Sequence, residues 1–215
     1  MSNRFLIILG VLVLGFVGFL VYQNQTEDTG LNGEATSQAS NHTQGAGTKN
    51  VTLIEYADFQ CPSCASYFPV LDQIKEKYGD DITFQFRHFP LTQIHQNAMA
   101  AHRAAEAASK QDKFWEMHDV LFERQNIWAQ SQNATSIMED YATELGLNVE
   151  QFKTDYASSE VNATINADIA AGNDDGATGT PTFVLNGQKI ENPDPSVEAF
   201  SEIIDKAIEE AESNQ

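Results

Sequence analysis

Two cysteines three positions apart are the residues whose type and spacing most directly suggest chemistry. Cys61 and Cys64, separated by Pro62 and Ser63, are the only cysteines among 215 residues. Domains stabilised by structural disulfides carry more cysteines, and a bridge between near neighbours closes too short a loop to gain much chain entropy. A structural zinc site needs four ligands, and no second Cys pair or paired His motif follows at the usual spacing. Thiol–disulfide chemistry is therefore favoured, with no metal and no cofactor expected.

The residues around the pair predict how a reactive thiolate is produced. Val51–Phe59 is rich in β-branched and aromatic residues and predicts a buried strand. Pro62 predicts a helix that opens at Cys61 and runs to about Tyr78. The unpaired N–H groups and positive dipole end of a helix lower the pKa of a thiol placed there. We expect Cys61 to be the exposed nucleophile, and Cys64, one turn later, to be the more buried resolving thiol.

The two intervening residues tune this reactivity. Pro62 removes one N–H group, whereas Ser63 offers a hydroxyl group but no positive charge. Interactions that stabilise the thiolate stabilise the reduced form, so they make the disulfide a stronger oxidant. The motif is compatible with an oxidant but does not fix its reduction potential.

The hydrophobic pattern from residue 51 onwards predicts one α/β domain. The order β-α-β, helical block, β-β-α indicates a mixed sheet over residues 51–215 with a helical insertion at about 92–175. Strands are predicted at Val51–Phe59, Ile82–Phe89, Thr182–Leu185 and, after an Asn186-Gly187 hairpin turn, Gln188–Ile190. Further helices are predicted at Gln93–Lys110, Phe114–Gln125, Ile137–Leu145, Val149–Tyr156 and Glu160–Ala171, with a last one from an N-cap at Ser196 to about Glu212.

Residues 1–22 predict attachment to a membrane. Phe5–Val21 is an apolar run that would be about 25 Å long as a helix, enough to cross a bilayer. Arg4 before the run places the N-terminus inside the cell and the rest outside. A cleaved signal peptide is the alternative, although no A-x-A site follows Tyr22. Residues 23–50, rich in Gln, Asn, Thr, Ser and Gly, predict a flexible polar linker.

The net charge argues against one class of partner, and the histidines show no motif of their own. The net charge is −19, from 12 Lys and Arg against 31 Asp and Glu, which argues against a nucleic-acid partner. No dimerisation segment precedes the cysteine pair, so a monomer is favoured. We expect core or surface roles for His88, His95, His102 and His118.

Three segments carry a resemblance to a known family. They are EYADFQCPSCASYFP at residues 55–69, RHFPL at 87–91 and GTPTF at 179–183. Together they resemble the DsbA family of disulfide oxidoreductases, and within it the membrane-tethered, BdbD-like branch. The resemblance covers about residues 50–212 and implies a thioredoxin-like fold with a helical insertion.

The resemblance also implies roles for individual residues. Cys61 and Cys64 match the redox pair. Thr180 and Pro181 match a cis-proline loop that faces the disulfide and binds extended substrates by strand addition. Glu55 matches a buried acidic residue that tunes the pair and relays the proton of the resolving thiol; the alternative is a strand residue that faces solvent. Many strongly oxidising members carry His where this chain has Ser63.

The implied function is donation of the Cys61–Cys64 disulfide to reduced exported proteins, with reoxidation by a DsbB- or VKOR-type membrane partner. A disulfide reductase or isomerase is one alternative. A non-catalytic module that holds extended peptides is another, and a protein that binds metal through the dithiol is a third.

Overall fold

The computed structural model of the chain describes residues 38–213, which form five strands and eight helices. The strands are β1 (His42–Gln44), β2 (Val51–Ala57), β3 (Ile82–His88), β4 (Thr182–Leu185) and β5 (Gln188–Lys189). The helices are α1 (Pro62–Tyr78), α2 (Ala98–Ser109), α3 (Phe114–Glu123), α4 (Gln125–Trp128), α5 (Ala134–Glu144), α6 (Val149–Ala157), α7 (Ser159–Asp174) and α8 (Val197–Ser213).

The strands form one mixed sheet in the order β1-β3-β2-β4-β5. β2 runs parallel to β3, and the crossover between them is α1. β4 pairs antiparallel with β2, and β5 returns beside β4. Asn186 and Gly187 join β4 to β5 with φ of 50° and 76°, the positive angles that a tight two-residue hairpin requires. The expected thioredoxin-like α/β fold with a helical insertion between its halves is confirmed.

The sheet divides the apolar side chains between two faces. Leu53 and Ala57 of β2 join the main core, whereas Tyr56 packs in a smaller cluster with Val184 on the other face. Glu55 shares the main-core face because alternate strand residues point the same way. The register of β2 thus places one carboxyl group in apolar surroundings beneath the helix that carries the cysteines.

The helical insertion is organised around α2, which packs against α3, α5, α6 and α7. Six of its alanines are completely buried, and their small side chains let the neighbouring helices approach closely: Ala98, Ala101, Ala104, Ala105, Ala107 and Ala108. On the other face of the sheet, α7 approaches so closely that a Cβ on Gly172 would lie 2.8 Å from the Phe89 ring and 3.0 Å from Tyr56. Both contacts depend on small residues at these positions.

The prediction of a flexible linker is wrong for residues 38–50. Residues 42–44 form β1, which pairs antiparallel with β3. Ser40 donates two hydrogen bonds to the buried Asp168 carboxylate, from its amide over 2.8 Å and from its hydroxyl over 2.5 Å. Arg87 pairs with the same carboxylate at 2.9 Å. These polar residues are fixed by partners far away in sequence, which their composition does not reveal.

The predicted anchor at residues 1–22 and the linker up to residue 37 lie outside the described residues. Within residues 38–213, no helix is both long and apolar enough to span a bilayer. The second predicted helix starts later than expected, at Ala98 instead of Gln93. The loop before it is fixed by two side chains that directly precede the cysteine motif, since Asp58 accepts from the Leu91 amide and Gln60 accepts from the Asn97 amide.

Candidate active site

The cysteine pair lies at the N-terminus of α1, as predicted. Cys61 is the N-cap residue, with φ −71° and ψ 121°, and Pro62 begins the helix. Cys64 has no exposure, whereas Pro62 and Ser63 face solvent. Cys61 is only 7% exposed, so its expected exposure is correct relative to Cys64 but smaller than predicted.

The environment drives the two thiols to opposite protonation states. A hydrogen bond from the Cys64 thiol is the largest cause that lowers the pKa of Cys61, and the backbone N–H groups of Ser63 and Cys64 act in the same direction. These bonds outweigh burial and bring the Cys61 pKa to about 5. Burial, the hydrogen bond to Cys61 and the Glu55 charge raise the pKa of Cys64 well above its ordinary value. Near neutral pH the reduced site therefore holds a thiolate at Cys61 and a thiol at Cys64.

The loop before β4 completes the site. The Thr180-Pro181 peptide bond is cis, and the Thr180 carbonyl oxygen lies 3.4 Å from Cys61 Sγ. Asn192 donates to the Pro181 carbonyl group over 2.7 Å, which fixes the far side of the loop. An open groove follows this loop, lined in part by Glu191 and Asn192. The structure thus brings Thr180 and Pro181 to Cys61, while their role in substrate binding remains a prediction.

Glu55 is buried beneath the pair, with 2% of its surface exposed. Burial raises the pKa of Glu55 to about 8, the Lys75 charge opposes this rise, and the Cys61 charge adds to it. Lys75 is itself paired with Asp72 at 2.7 Å. Near neutral pH the Glu55 carboxyl group is therefore largely protonated and can give a proton to a neighbouring base. The role of Glu55 in tuning the redox pair stays a prediction, and the Glu55 charge contributes to the raised pKa of Cys64.

Helix α4 of the insertion holds the backbone at Phe59 and Cys61 through side-chain hydrogen bonds. Gln125 donates from Nε2 to the carbonyl oxygens of Phe59, over 2.7 Å, and Cys61, over 3.0 Å. Gln60 donates in return to the Ala129 carbonyl group over 2.7 Å. Sequence analysis did not identify this contact, because α4 is four residues long and far from the motif in sequence.

A second residue that sequence analysis missed is Asp58, three positions before Cys61. Its carboxylate has no exposure and accepts from the Gln60 and Leu91 amides, both over 2.8 Å, and from His95 Nδ1 over 2.7 Å. Burial alone would raise the Asp58 pKa, but bonds with His102, His95 and Leu91 outweigh it and lower the pKa. The sequence did offer a sign of this role, because Asp58 is an acidic residue between a predicted buried strand and the cysteine motif.

The five histidines of the chain are not scattered in space. His118 packs among aromatic rings of the main core. The other four lie in one polar network with two carboxylates, which runs in the order His42, Glu106, His88, His102, Asp58 and His95. The expected core role is correct for the buried members, but the sequence offered no sign that they touch one another.

Glu55 generates a prediction about stability. Folding raises its pKa from 4.5 to about 8, so between these pH values the folded protein holds a proton that the unfolded chain has released. Stability is therefore lost as pH rises through this window. Glu55→Gln removes the loss, and we expect the reduced variant to be more stable than the reduced wild type by about 3 kcal/mol at pH 7. Urea unfolding at a series of pH values measures the difference.

The gain should disappear below pH 4.5, where the wild-type carboxyl group is protonated in both states. Glu76→Gln, at an exposed position of the same helix α1, is the matched control and should change stability by less than about 0.5 kcal/mol. A Glu55→Gln gain that does not vary with pH would show that the carboxyl group is not charged by unfolding in this range.

Comparisons with known proteins agree with this architecture. A thioredoxin-like oxidoreductase from Silicibacter pomeroyi is 25% identical with a TM-score of 0.65, over 78% of this chain and 91% of that chain. BdbD from Bacillus subtilis, in its oxidised form, is 23% identical with a TM-score of 0.68, over 80% and 97%. Alpha-DsbA1 from Wolbachia pipientis is 22% identical with a TM-score of 0.69, over 81% and 94%. The latter two similarities establish the fold.

Curated relatives include much longer proteins. Na(+)/H(+) antiporter NhaA 3 of Salinispora tropica is 34% identical over 170 residues, which are 79% of this chain and 25% of the relative. NhaA 1 of Mycolicibacterium gilvum is 36% identical over 154 residues, or 71% of this chain and 24% of the relative. The chain thus spans about a quarter of the length of these relatives.

A family model described as Thioredoxin (Thioredoxin_4) matches residues 37–206. Its first residue lies before β1, in agreement with the ordered segment that precedes β2. Because this match covers more than half of the chain and includes the whole sheet and the cysteine pair, the protein belongs to the thioredoxin family.

Proposed function

We propose that the protein is a thiol–disulfide oxidoreductase that donates the Cys61–Cys64 disulfide to reduced proteins. The observation that carries this proposal is the placement of Cys61 at the N-terminus of α1, 3.4 Å from the carbonyl oxygen of the cis Thr180-Pro181 loop, with Cys64 fully buried one turn later. This placement lowers the pKa of Cys61 to about 5 and raises that of Cys64. Solved neighbours include a protein described as a thioredoxin-like oxidoreductase and others described as DsbA or BdbD. The likeness to these proteins supports the same class of reaction.

The reaction follows from this asymmetry. A substrate thiolate attacks Cys61 Sγ, the Cys61–Cys64 bond breaks, and Cys64 leaves with the bonding electrons and takes a proton. The second substrate thiolate then attacks the substrate sulfur of the mixed disulfide and releases Cys61 as a thiolate. Two electrons pass from the substrate to the enzyme, and a disulfide passes to the substrate. The low pKa of Cys61 favours this last step, because it makes Cys61 a good leaving group.

Glu55 supplies the proton that the first step requires. Cys64 leaves into a site without solvent exposure, where an uncompensated thiolate is costly. The Glu55 carboxyl group is buried on the face of the sheet that lies beneath α1, and its charge raises the pKa of Cys64. A raised pKa keeps the proton available near neutral pH, so Glu55 serves as the acid for Cys64 and as its base in the reverse reaction.

The surface around Cys61 suits an extended, unfolded substrate. The groove beside the Thr180-Pro181 loop is open to solvent and runs past Glu191 and Asn192. Ile94 is 73% exposed and next to His95, which bonds to Asp58. Ile127 is 55% exposed and two positions after Gln125, which bonds to Cys61. Backbone pairing with the loop would be independent of substrate sequence, as in strand addition, and the exposed isoleucines would contact apolar side chains.

For location, we propose that Phe5–Val21 anchors the chain in the cell membrane, with the catalytic domain outside the cytoplasm, as in the BdbD-like branch. The apolar run with Arg4 before it supports this topology. The relatives named as antiporters contain a segment similar to this chain within a longer protein. Such a combination supports a location of the catalytic domain next to a membrane. Antiport does not follow from this similarity, since the matched segment is only about a quarter of those relatives. Reoxidation then requires a membrane partner of the DsbB or VKOR type that accepts two electrons.

The cysteine roles predict different outcomes for two single substitutions. Cys61→Ser should abolish oxidation of a reduced model protein, because no mixed disulfide can form. Cys64→Ser should also abolish turnover but should accumulate a mixed disulfide at Cys61, visible by mass spectrometry. A non-catalytic peptide-binding module would retain its activity after either substitution. Ser66→Ala, at an exposed position of α1, is a control that should keep turnover.

The direction of transfer is tested by the reduction potential of the full-length protein in glutathione buffers. Because the Cys61 thiolate stabilises the reduced form, we expect a value nearer to the roughly −120 mV of a strong oxidant than to the roughly −270 mV of thioredoxin. A value near that of thioredoxin would favour the reductase alternative. Efficient reshuffling of a scrambled disulfide protein would favour the isomerase alternative.

The location is tested with a thiol reagent that does not cross membranes. In intact cells treated first with a reductant, we expect this reagent to label Cys61 and the protein to sediment with the membranes. A Cys61→Ser chain is the control for labelling. Labelling that requires cell lysis would contradict the proposed topology.

A further inference from the structure

A polar cluster apart from the cysteines brings together three residues from three elements. His42 comes from β1, His88 from the end of β3 and Glu106 from α2. Each offers one ligand atom, and the three atoms lie within 4.8 Å of one another. His88 Nε2 is 2.7 Å from Glu106 Oε1, and His42 Nε2 contacts the same oxygen. We propose that these three side chains bind a divalent transition-metal ion such as Zn²⁺.

The first argument is the type and spacing of the three groups. Two imidazole nitrogens and one carboxylate oxygen lie within 4.8 Å of one another. Imidazole suits zinc, copper, iron and nickel, whereas calcium and magnesium take oxygen ligands almost exclusively. Three protein ligands leave a further position, and His42, partly exposed with 14% of its side chain accessible, lies where water can reach the ion.

The second argument is the pairing of donors and acceptors behind His88. Its Nδ1 lies 2.6 Å from Nδ1 of His102, so one of these two atoms donates and the other accepts. In the tautomer that frees His88 Nε2 for an ion, His88 Nδ1 donates and His102 Nδ1 accepts, which places the His102 proton on Nε2, facing the Asp58 carboxylate at 3.8 Å.

This arrangement leaves a lone pair on His88 Nε2 when the ring is neutral, and it points at an oxygen of Glu106. This lone pair, 2.7 Å from Glu106 Oε1, holds either a proton or a metal ion. A metal ion that displaces the proton binds His88 Nε2 and the Glu106 carboxylate together with His42. A metal-binding histidine that donates its other ring nitrogen to a further polar group is the usual outer arrangement of such sites.

The surroundings hold the three ligands in place before an ion arrives. The His42 ring stacks on Phe114, with centroids 3.4 Å apart and an interplanar angle of 6°. Ser109 donates to the Glu106 backbone carbonyl group over 2.7 Å, and its hydroxyl group lies 3.3 Å from the second carboxylate oxygen. His88 is fully buried. An ion here would join β1, the last strand residue of β3 and the central helix of the insertion, so its binding should stabilise the folded state.

The experiment uses the full-length protein with the Cys61–Cys64 disulfide formed, because a free dithiol also binds zinc. After treatment with a chelator, the protein is titrated with Zn²⁺ in a calorimeter. We expect one Zn²⁺ per chain, a higher melting temperature with Zn²⁺, and no displacement by excess Ca²⁺ or Mg²⁺. With Co²⁺ as the probe, the absorption spectrum should lack the charge-transfer band of a thiolate ligand.

Substitutions identify the ligands. His42→Gln and Glu106→Gln should each weaken Zn²⁺ binding by more than about 100-fold, beyond the 10- to 100-fold expected when an outer partner is lost. His95→Gln is the matched control, since it removes a histidine of the same network outside the three ligands, and it should leave stoichiometry and affinity unchanged. His42 is partly exposed, so its variant decides the matter if Glu106→Gln does not fold.

The proposal is overturned by failure of the oxidised wild type to bind Zn²⁺. It is equally overturned by binding that persists in His42→Gln, or by binding that appears only when the disulfide is reduced. None of these outcomes bears on disulfide donation, which is measured by turnover and by the reduction potential.

Discussion

The buried charge of Asp58 is the constraint on which the arrangement of this site depends. An ionised carboxylate without exposure needs several donors, and those available come from the motif itself, from the loop after β3 and from the histidines nearby. Satisfying them fixes the end of β2 relative to Leu91 and to α2. The backbone of Asp58 also serves the cysteines, because its carbonyl group accepts from the Cys61 amide and its amide bonds to Cys64. One residue therefore couples the position of the insertion to the geometry of the redox pair.

One of the three ionisable groups at the centre of the site keeps its charge although all three are buried. Burial works against the charged form of Cys61, Cys64 and Glu55 alike, yet only Cys61 stays charged near neutral pH. The difference is that Cys61 receives hydrogen bonds from the first turn of α1, whereas Glu55 lies among apolar strand residues. Along the helix the same contrast occurs within one turn: Cys61 at the N-terminus receives these hydrogen bonds, whereas at Cys64 burial is the largest influence on the pKa.

The sequence predicted features that depend on neighbours along the chain. Pro62 marked the start of α1, Asn186 and Gly187 marked the hairpin, and Ser196 was correctly placed as the N-cap, where it accepts from the Ala199 amide. These signals are local because a turn or a helix end is decided within a few residues. The resemblance to a known family added Thr180 and Pro181, which lie more than a hundred positions after the cysteines.

The features that were missed depend on contacts between distant segments. Residues 38–50 look like a linker by composition, yet Ser40 is fixed by Asp168, 128 positions away. The histidines are spaced without any repeat, and only the packing of α2 against the sheet brings His102 to His88. Charges that compensate one another across the fold leave no pattern in a single sequence. They become visible only when both partners are placed.

The short strand β1 has a consequence for any shortened form of the chain. It covers the outer edge of β3, which would otherwise present a row of unpaired amide and carbonyl groups along Phe84 to Phe86. A fragment that begins at Val51, where the strong strand pattern starts, would leave this edge free. Exposed edges pair with other edges, so such a fragment would tend to self-associate through β3 and aggregate. The natural boundary of the domain therefore lies before Ser40, in a segment whose composition alone would mark it as dispensable.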